Sequence, residues 1–411
     1  MLLRANVRCV NEHVATDGHG STAGTSRSRG GRRLVRWLVV TLIVLGAVFF
    51  AGGGWFFSGE IRDGALDVDP ADQEMGLSVA AVTPGAITLE ETSGDEAALT
   101  SEQTYGLVWP TGYGQISGPV QVRGSEVTRR LRVLDGSAPT SGQPAGLDRD
   151  AFPDDPRVAL GSPVRQVQYR SPAGSFPAWL TAGEGRTWAI FVHGQTATRA
   201  EALRSMRLTA DLGIPAMAIT YRNDAGVAGD TSGFYGYGQT EWPDLEGAVR
   251  YATAHGADRV VLFGYSMGGA IVAAFLQQSA LEGDVSAVVL DAPMLDLGAT
   301  VSLGASQRSL PLVGLPVPDA LTWTAKQLAA VRYDLDWDAL DYASDPAWVD
   351  MPVLVFHGEA DQKVPLDTSR RLATARPDLV QLEVVPDAGH VEAWNANPRT
   401  YNATLRDFLQ R

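Results

Sequence analysis

The chain has 411 residues, enough for one large domain with appendages, and carries a net charge of −14. The charge is unevenly distributed, because residues 1–36 have a net charge of +5, which leaves −19 for the remainder. Such an acidic surface argues against nucleic acid as a partner, since phosphate binding needs a basic face. The single cysteine, Cys9, excludes a disulfide framework, so the core must supply the stability.

Residues 37–57 form an apolar run without a charged side chain, long enough to cross a bilayer as a helix. Five arginines lie just before the run, and Glu60 and Asp63 follow it, so the positive-inside rule places residues 1–36 in the cytoplasm. We therefore predict a single-pass cell-membrane protein with a disordered basic tail and an extracytoplasmic main part. A cleaved signal peptide is the alternative, although the run is long for one.

The part of the chain that follows the membrane segment is predicted to contain two regions. Short strand-like segments between Gly, Pro and Ser clusters indicate a small β-rich region and linker over residues 58–160, with a loop at 136–156. Over residues 161–411 an antiparallel hairpin precedes continuous apolar strands that alternate with helices. This pattern predicts an α/β domain with a mostly parallel sheet and helices on both faces. Residues 292–350 interrupt the alternation and are predicted to be a cap or lid insertion.

A G-x-S-x-G pattern at residues 264–268 lies between an apolar strand and a helix of small residues. In this context the serine lies on a sharp strand-to-helix turn that tolerates only small neighbours. The free N–H groups at the helix start would then point at any developing negative charge. We predict Ser266 as a nucleophile, against the alternative of a glycine-rich turn in an inert α/β domain.

A serine nucleophile needs a base and a third group that orients the base. Four histidines lie beyond the membrane segment, and His390 directly follows the last predicted strand, where a loop could bring its imidazole over Ser266. His255 lies at the end of a helix and fits a capping role. Asp361, in the turn after a strand that ends at His357, is the predicted acid, and Asp291 is the alternative.

Acyl transfer also needs two backbone donors for the oxygen of the tetrahedral intermediate. One is predicted to be the N–H of Met267, the residue after the nucleophile. The other is predicted to be the N–H of Gln195, in the loop after the first strand of the α/β region, with His193 and Gly194 shaping that turn.

Taken in chain order, these motifs resemble the serine α/β-hydrolase superfamily: His193-Gly194-Gln195, Gly264-Tyr265-Ser266-Met267-Gly268, His357-Gly358-Glu359-Ala360-Asp361 and Ala388-Gly389-His390. The resemblance covers about residues 160–411. It is closest to the esterase and S9/S33-peptidase-like branch, including membrane-anchored α/β-hydrolase-domain 12/13 and BEM46-like lipases. It implies an eight-stranded sheet, hydrolysis through an acyl-enzyme, and no metal or organic cofactor. In Tyr221-Arg222-Asn223 an asparagine stands where these relatives usually have glycine.

We therefore expect a membrane-anchored extracytoplasmic serine hydrolase, a carboxylesterase or lipase that acts on a small-molecule or lipid-like ester. A serine peptidase of the same fold is the enzymatic alternative. A non-catalytic surface binding protein would be expected to have lost a triad position, whereas Ser266, Asp361 and His390 are all present. The sequence does not indicate an oligomeric state.

Overall fold

The computed structural model describes residues 29–68, 75–92, 96–227, 229–311 and 313–411. Most of the predicted basic tail, including Cys9, lies outside these ranges. The chain divides into two compact units, residues 1–50 and residues 51–411.

A single long helix, α1 (Arg29–Ile61), contains the predicted membrane segment and continues into a π-helical turn, Arg62–Leu66. Most of the large apolar side chains of α1 are exposed, as expected for a helix that does not belong to a soluble core. By its length and composition the helix could cross a membrane. A signal sequence near an N-terminus can have the same length and composition.

The β-rich region is a closed antiparallel barrel. Buried apolar side chains such as Leu89, Leu107 and Ile116 fill its interior. Its elements are β1 (Leu77–Thr83), β2 (Ala86–Glu91), α2 (Glu96–Thr100), β3 (Tyr105–Trp109), β4 (Gly112–Arg123), β5 (Glu126–Gly136) and β6 (Pro144–Asp148). The prediction of a loop at 136–156 is wrong for β6, because this strand pairs with β1 and β3 and thereby closes the barrel.

The α/β region is built on an eight-stranded sheet: β7 (Val164–Ser171), β8 (Gly174–Thr181), β9 (Thr187–Val192), β10 (Ala216–Ile219), β11 (Arg259–Tyr265), β12 (Val285–Asp291), β13 (Val353–Gly358) and β14 (Val380–Val385). The strand order is β14-β13-β12-β11-β9-β10-β8-β7. Strands β9 to β14 are parallel, and the β7–β8 hairpin joins them through the antiparallel pair of β8 and β10.

Helices cover both faces of this sheet, which confirms the predicted α/β class. Neighbouring residues of β9 show the two faces: Ile190 packs in one apolar cluster with α5 (Trp242–Ala254) and α6 (Met267–Gln278), and Phe191 packs in the other with α4 (Leu203–Asp211) and α11 (Pro398–Leu409). The helices are α3 (Pro156–Leu160), α4 (Leu203–Asp211), α5 (Trp242–Ala254), α6 (Met267–Gln278), α7 (Leu297–Ser306), α8 (Asp319–Tyr333), α9 (Leu366–Ala375), α10 (Ala393–Ala396) and α11 (Pro398–Leu409).

The candidate site residues lie at one edge of the sheet. Parallel strands end at the same edge, and β9, β11 and β13 run directly into the loops or turns that carry Gln195, Ser266 and Asp361. The insertion at residues 292–350 follows β12 at this edge and contains α7 and α8. The fold therefore brings the predicted site residues to the same edge of the sheet.

Candidate active site

Ser266 occupies a strained turn between β11 and α6. Its φ of 48° lies in the left-handed region, which is unusual for a residue with a side chain. The two glycines of the pattern are required by close packing: a Cβ at Gly264 would collide with the backbone of Gly268, and one at Gly268 with the carbonyl oxygen of Val192. The turn thus holds Ser266 at the edge of the sheet, nearly buried but next to the loops that follow the other strands.

The structure brings Ser266, His390 and Asp361 together in one hydrogen-bonded chain. His390 Nε2 lies 2.8 Å from Ser266 Oγ, and His390 Nδ1 lies 2.8 Å from Asp361 Oδ2. The other carboxylate oxygen of Asp361 accepts hydrogen bonds from the N–H groups of Lys363 and Val364 at 2.8 and 2.9 Å. The imidazole is therefore oriented at one nitrogen and free to take a proton from the serine at the other.

The electrostatics suit a neutral base beside a charged acid. Burial opposes ionisation of Asp361, but hydrogen bonds from His357, His390 and the Val364 N–H hold its pKa well below its usual range. Burial lowers the pKa of His390, and the opposing attraction of Asp361 does not fully restore it. His390 is therefore neutral at physiological pH, the state in which it can accept a proton.

Asp291, the alternative acid, is fully buried at the end of β12, next to Tyr265 of β11. Burial raises its pKa to about 6. The acid of a triad orients the imidazole through one ring nitrogen. That nitrogen, His390 Nδ1, is already hydrogen-bonded to Asp361. The geometry therefore favours Asp361 in this position.

The loop after β9 lies against the nucleophile. A Cβ built at Gly194 would lie 3.0 Å from Ser266 Cβ, so glycine permits this close approach. The Gly194 N–H is already bound to Glu201 Oε2 at 2.7 Å, which leaves the next residue, Gln195, as the donor that this loop can offer. Met267 opens α6, where a backbone N–H has no acceptor within the helix. The geometry is compatible with the predicted pair of donors.

His193 is buried and shapes this loop without touching the nucleophile. Its Nε2 lies 2.9 Å from Asp224 Oδ2, and its ring stacks on Tyr221 with centroids 4.5 Å apart. Tyr221 Oη in turn donates to the carbonyl of His193 at 2.8 Å. Burial alone would lower the pKa of His193, but Asp224 raises it.

The departure from the relatives' turn at Asn223 has a structural reason. Asn223 has a φ of 72°, a conformation that glycine adopts freely and asparagine tolerates better than most residues. Its side chain also joins the following loop, with Nδ2 donating to the Phe234 carbonyl and Oδ1 accepting from the Asp230 N–H. Asparagine thus satisfies the turn and ties down the loop.

The two other histidines beyond the membrane segment have structural partners. His357 is fully buried, with Nδ1 2.8 Å from Ser369 Oγ and Nε2 facing Asp361 at 3.4 Å. It therefore supports the acid. His255 is the C-cap residue of α5, and its ring stacks on Tyr251 with centroids 3.9 Å apart.

Contacts between the β-barrel and the loop that carries His390 had no signal in the sequence. Glu392, two residues after His390, accepts a hydrogen bond from Arg149 Nε at 2.9 Å and faces Tyr105 Oη at 3.4 Å. The same carboxylate accepts the N–H of Gly389, the residue before His390. Gln103 Nε2 donates to the carbonyl of Asp387, at the start of the loop. Residues near the barrel thus hold the histidine loop from outside the sheet.

A cavity of about 440 Å³ adjoins the site. Met294, whose N–H donates to the Ser266 carbonyl, and Gln195 lie on its catalytic side. Its other walls are mostly apolar and come from α7, α8 and the end of α1 with the π-helical turn. Ligand pockets typically have about 300–1,000 Å³, so the volume suits a small ligand or part of a larger one.

Comparisons with known proteins agree with the α/β fold. A model of the alpha/beta hydrolase family matches residues 189–404. A Synechocystis protein described as a non-heme chloroperoxidase is 30% identical over 93 residues, 22% of this chain and 33% of that protein. YfhR of Escherichia coli O157:H7 is 26% identical over 147 residues, 36% of this chain and 43% of YfhR. The chain thus spans less than half the length of either curated relative.

Among solved structures, an esterase from Pyrococcus furiosus superposes with a TM-score of 0.50 at 19% identity. The match covers 63% of this chain and 96% of that chain. At this identity the similarity is one of fold.

Proposed function

This chain belongs to the alpha/beta hydrolase family, and we propose that it is a membrane-anchored serine hydrolase that cleaves carboxylic esters. The observation that carries the proposal is the hydrogen-bonded chain Ser266–His390–Asp361 at a strained strand-to-helix turn. A serine hydroxyl becomes a nucleophile when a base can take its proton and a third group orients that base. All three groups are in contact before any substrate binds.

In the first half of the proposed reaction, Ser266 Oγ attacks the ester carbonyl carbon while His390 Nε2 takes the hydroxyl proton. The carbonyl oxygen becomes negatively charged and accepts hydrogen bonds from the N–H groups of Met267 and Gln195. Asp361 stabilises the imidazolium that forms. When the tetrahedral intermediate collapses, the C–O bond to the alcohol breaks, and His390 donates its proton to the leaving oxygen.

In the second half, water replaces the alcohol and the same groups act again. His390 takes a proton from the water, whose oxygen attacks the acyl carbon of the acyl-enzyme. The bond to Ser266 Oγ then breaks, His390 returns the proton to the serine, and the carboxylic acid leaves. No net proton is retained by the enzyme, so each cycle restores the starting state.

An ester with an apolar acyl group is the substrate class that the cavity favours. Apolar side chains such as Leu297, Val301 and Val317 line it, and Gln195 and Met294 place it next to the nucleophile. A peptidase would need an anchor for a peptide terminus. The cationic side chain of Arg222, one candidate for such an anchor, is instead paired with Asp244 through two hydrogen bonds.

The membrane part of the proposal rests on α1. The helix has 33 residues, which at about 1.5 Å per residue extend roughly 50 Å, beyond the ~30 Å hydrocarbon core. The arginines before residue 37 and the acidic residues after it favour a cytoplasmic N-terminus and an extracytoplasmic hydrolase domain.

The test of the catalytic proposal is labelling of the full-length protein in detergent with a fluorophosphonate probe. We expect the wild type to be labelled and Ser266→Ala to be unlabelled. The labelled enzyme would then be assayed on p-nitrophenyl acyl esters and on aminoacyl anilides. Turnover of anilides alone would make it a peptidase, and absence of labelling in a folded wild type would make it a non-catalytic protein.

The orientation can be tested with the single native cysteine. Cys9 lies on the predicted cytoplasmic side, so a membrane-impermeant maleimide should label it only after the cells are permeabilised. A Cys9→Ala variant is the background control. Labelling in intact cells would reverse the proposed orientation, and a mature protein that lacks Cys9 would indicate a cleaved signal peptide.

A further inference from the structure

The end of the anchor helix and the π-helical turn, residues 57–66, are built into the hydrolase domain. We call these residues the juxtamembrane segment. The carbonyl of Ala65 accepts hydrogen bonds from Gln195 Nε2 at 2.9 Å and from Tyr237 Oη at 2.5 Å. Leu66 is fully buried, and its carbonyl accepts the N–H of Tyr235. The segment is therefore fixed directly to the loop that carries the proposed oxyanion donor Gln195.

The C-terminal part of α1, from Gly53 into the juxtamembrane segment, packs closely on helix α8 of the insertion. A Cβ at Gly53 would lie 3.0 Å from Leu321 Cδ1, and one at Gly54 would lie 2.8 Å from Thr324 Cγ2, so small residues permit the approach. Ile61 is buried in a cluster with Ala325 and Ala329. The anchor and the insertion thus share an apolar interface.

Polar contacts fix this interface at its edges. Arg332 of α8 lies over the Trp55 ring, 3.7 Å from the centroid, and donates to the Trp55 carbonyl at 3.0 Å. It also donates to Ser58 Oγ. Arg308, after α7, pairs with Glu60 of the juxtamembrane segment. Helix α8 and the segment that follows α7 are thus held to the end of α1 by polar contacts.

The cavity beside the nucleophile lies between these elements. Phe57, Ile61, Gly64 and Ala65 of the juxtamembrane segment line one side. Opposite them are residues of α7 and α8, including Val301, Gly304, Ala305 and Ala325. Polar side chains, Glu60, Gln307, Arg308, Gln362 and Lys363, complete the lining. Removal of the juxtamembrane segment would open the apolar cavity to water along one whole side.

We propose that the side of the juxtamembrane segment formed by Phe57, Ile61, Gly64 and Ala65 is a wall of the acyl-binding pocket, so that the membrane anchor helps to set the acyl-chain length that the enzyme hydrolyses. The inference rests on the proposed ester hydrolysis at Ser266, because the pocket begins at Gln195 and Met294 beside that residue. The substrate class is an ester with a long apolar acyl chain. The chain would occupy the cavity while its carbonyl carbon faces Ser266.

The position of the pocket suits a substrate that comes from the bilayer. The wall of the pocket is continuous with the helix that is proposed to span the membrane. On α8, Trp323 and Val331 are 64% and 85% exposed, so the helix that packs on the anchor also presents apolar side chains outward. Apolar and aromatic side chains at such a position favour contact with a membrane surface.

Two glycines of the juxtamembrane segment allow a matched test of whether this segment lines the pocket. Gly64 lines the cavity, its φ is not positive, and apart from its neighbours along the chain no atom lies within 4 Å of the position that a Cβ would take. Gly64→Leu should therefore fit locally but fill part of the pocket. Gly59, five residues earlier, has the same open surroundings and does not line the cavity, so Gly59→Leu is the matched control.

Full-length variants in detergent would be assayed on p-nitrophenyl butyrate and p-nitrophenyl palmitate, with active sites counted by fluorophosphonate labelling. Gly64→Leu should lower kcat/KM for palmitate by about tenfold or more and change that for butyrate by less than about threefold. Gly304→Leu, on the opposite wall, should produce the same selective loss. Gly59→Leu should keep the wild-type ratio.

A second variant covers the case in which Gly64→Leu does not fold. Ile61→Ala enlarges the pocket from the same wall, so it should shift the preference toward longer chains. If Gly304→Leu changes the chain-length profile while Gly64→Leu and Ile61→Ala leave it unchanged, the pocket belongs to the insertion alone and the inference is overturned. A wild type that hydrolyses no ester and takes no label would instead overturn the proposed function.

Discussion

The strand-end edge of the sheet and the β-barrel both support the candidate active site. They differ in how far apart in the sequence their contacting residues lie. At the edge, Asp361 is oriented by N–H groups of residues two and three positions away, and Ser266 by glycines two positions away. From the barrel side, Arg149 and Tyr105 meet Glu392 across 243 and 287 positions of chain. In the proposed reaction, the first region provides the reacting groups, and the second only supports the loop that carries one of them. Substitutions in the first region should therefore lower the activity much more than substitutions in the second.

The largest effect is expected at the edge, where the groups act as one unit. Ser266→Ala and His390→Ala should each lower kcat by about 10⁶-fold, because each removes the activated nucleophile. The double variant should be little worse than either single one. Steady-state and single-turnover kinetics on an acyl ester measure the losses.

Ser279→Ala and His255→Ala are the matched controls, since both residues lie away from the triad in contacts with Glu246 and Tyr251. Both should retain activity near that of the wild type. Losses that add in the double variant would mean that His390 is not the base for Ser266.

The edge is also the region that could be predicted from the sequence. The α/β class followed from apolar strands that alternate with helices, and Ser266, Asp361 and His390 each stand within a few residues of a strand end. The turn at Ser266 needs glycine at 264 and 268, and both positions lie two residues from the serine, so the requirement is visible in the sequence even though Gly268 packs on Val192. A pattern of neighbours is enough to indicate such a site.

The barrel and the cavity could not be predicted in the same way, because they depend on pairs distant in sequence. Strand β6 lies in a stretch rich in Pro and Gly and is a strand only because β1 and β3 flank it. Ala65 meets Gln195 across 130 positions, so nothing near either residue indicates that the segment after the apolar helix lines the cavity. The apolar run and the loop that carries Gln195 are each visible in the sequence, but the contact between that loop and the segment after the run is not.

A smaller effect is expected where the barrel supports the histidine loop. Glu392→Gln weakens the pairing with Arg149 and the acceptor for the Gly389 N–H while keeping the side-chain shape. We expect kcat to fall about tenfold and the free energy of unfolding to fall by about 1–2 kcal/mol, at the low end for a hydrogen bond to a charged group because Arg149 is 58% exposed. Fluorophosphonate labelling rate and chemical denaturation measure the two effects.

The comparison for this variant is Glu282→Gln, an exposed carboxylate in the turn before β12. It should change neither the labelling rate nor the stability. If Glu392→Gln lowers stability but labels at the wild-type rate, the contacts from the barrel side stabilise the fold without positioning His390.

The smallest effect concerns the pH dependence of the base. His390 must be neutral to accept the proton of Ser266, so kcat/KM should rise with pH through the pKa of His390 and then level off. Burial lowers that pKa, Asp361 opposes the lowering, and Lys363 and His357 add to it. The plateau should therefore begin below the pH expected for an ordinary histidine.

Removal of the nearby cation in Lys363→Gln makes the imidazolium easier to form, so the acidic limb of the pH profile should move to higher pH. The shift should be about half a pH unit, because Lys363 acts on the imidazole only through its charge and makes no hydrogen bond to it. Glu392→Gln should lower the height of the profile and leave the limb in place, since Glu392 supports the loop backbone and contacts Gly389 rather than the imidazole. Profiles of kcat/KM from pH 4.5 to 9 on one ester measure both variants. A limb that moves in Glu392→Gln and stays in Lys363→Gln would show that the support from the barrel side, rather than the loop beside Asp361, tunes the base.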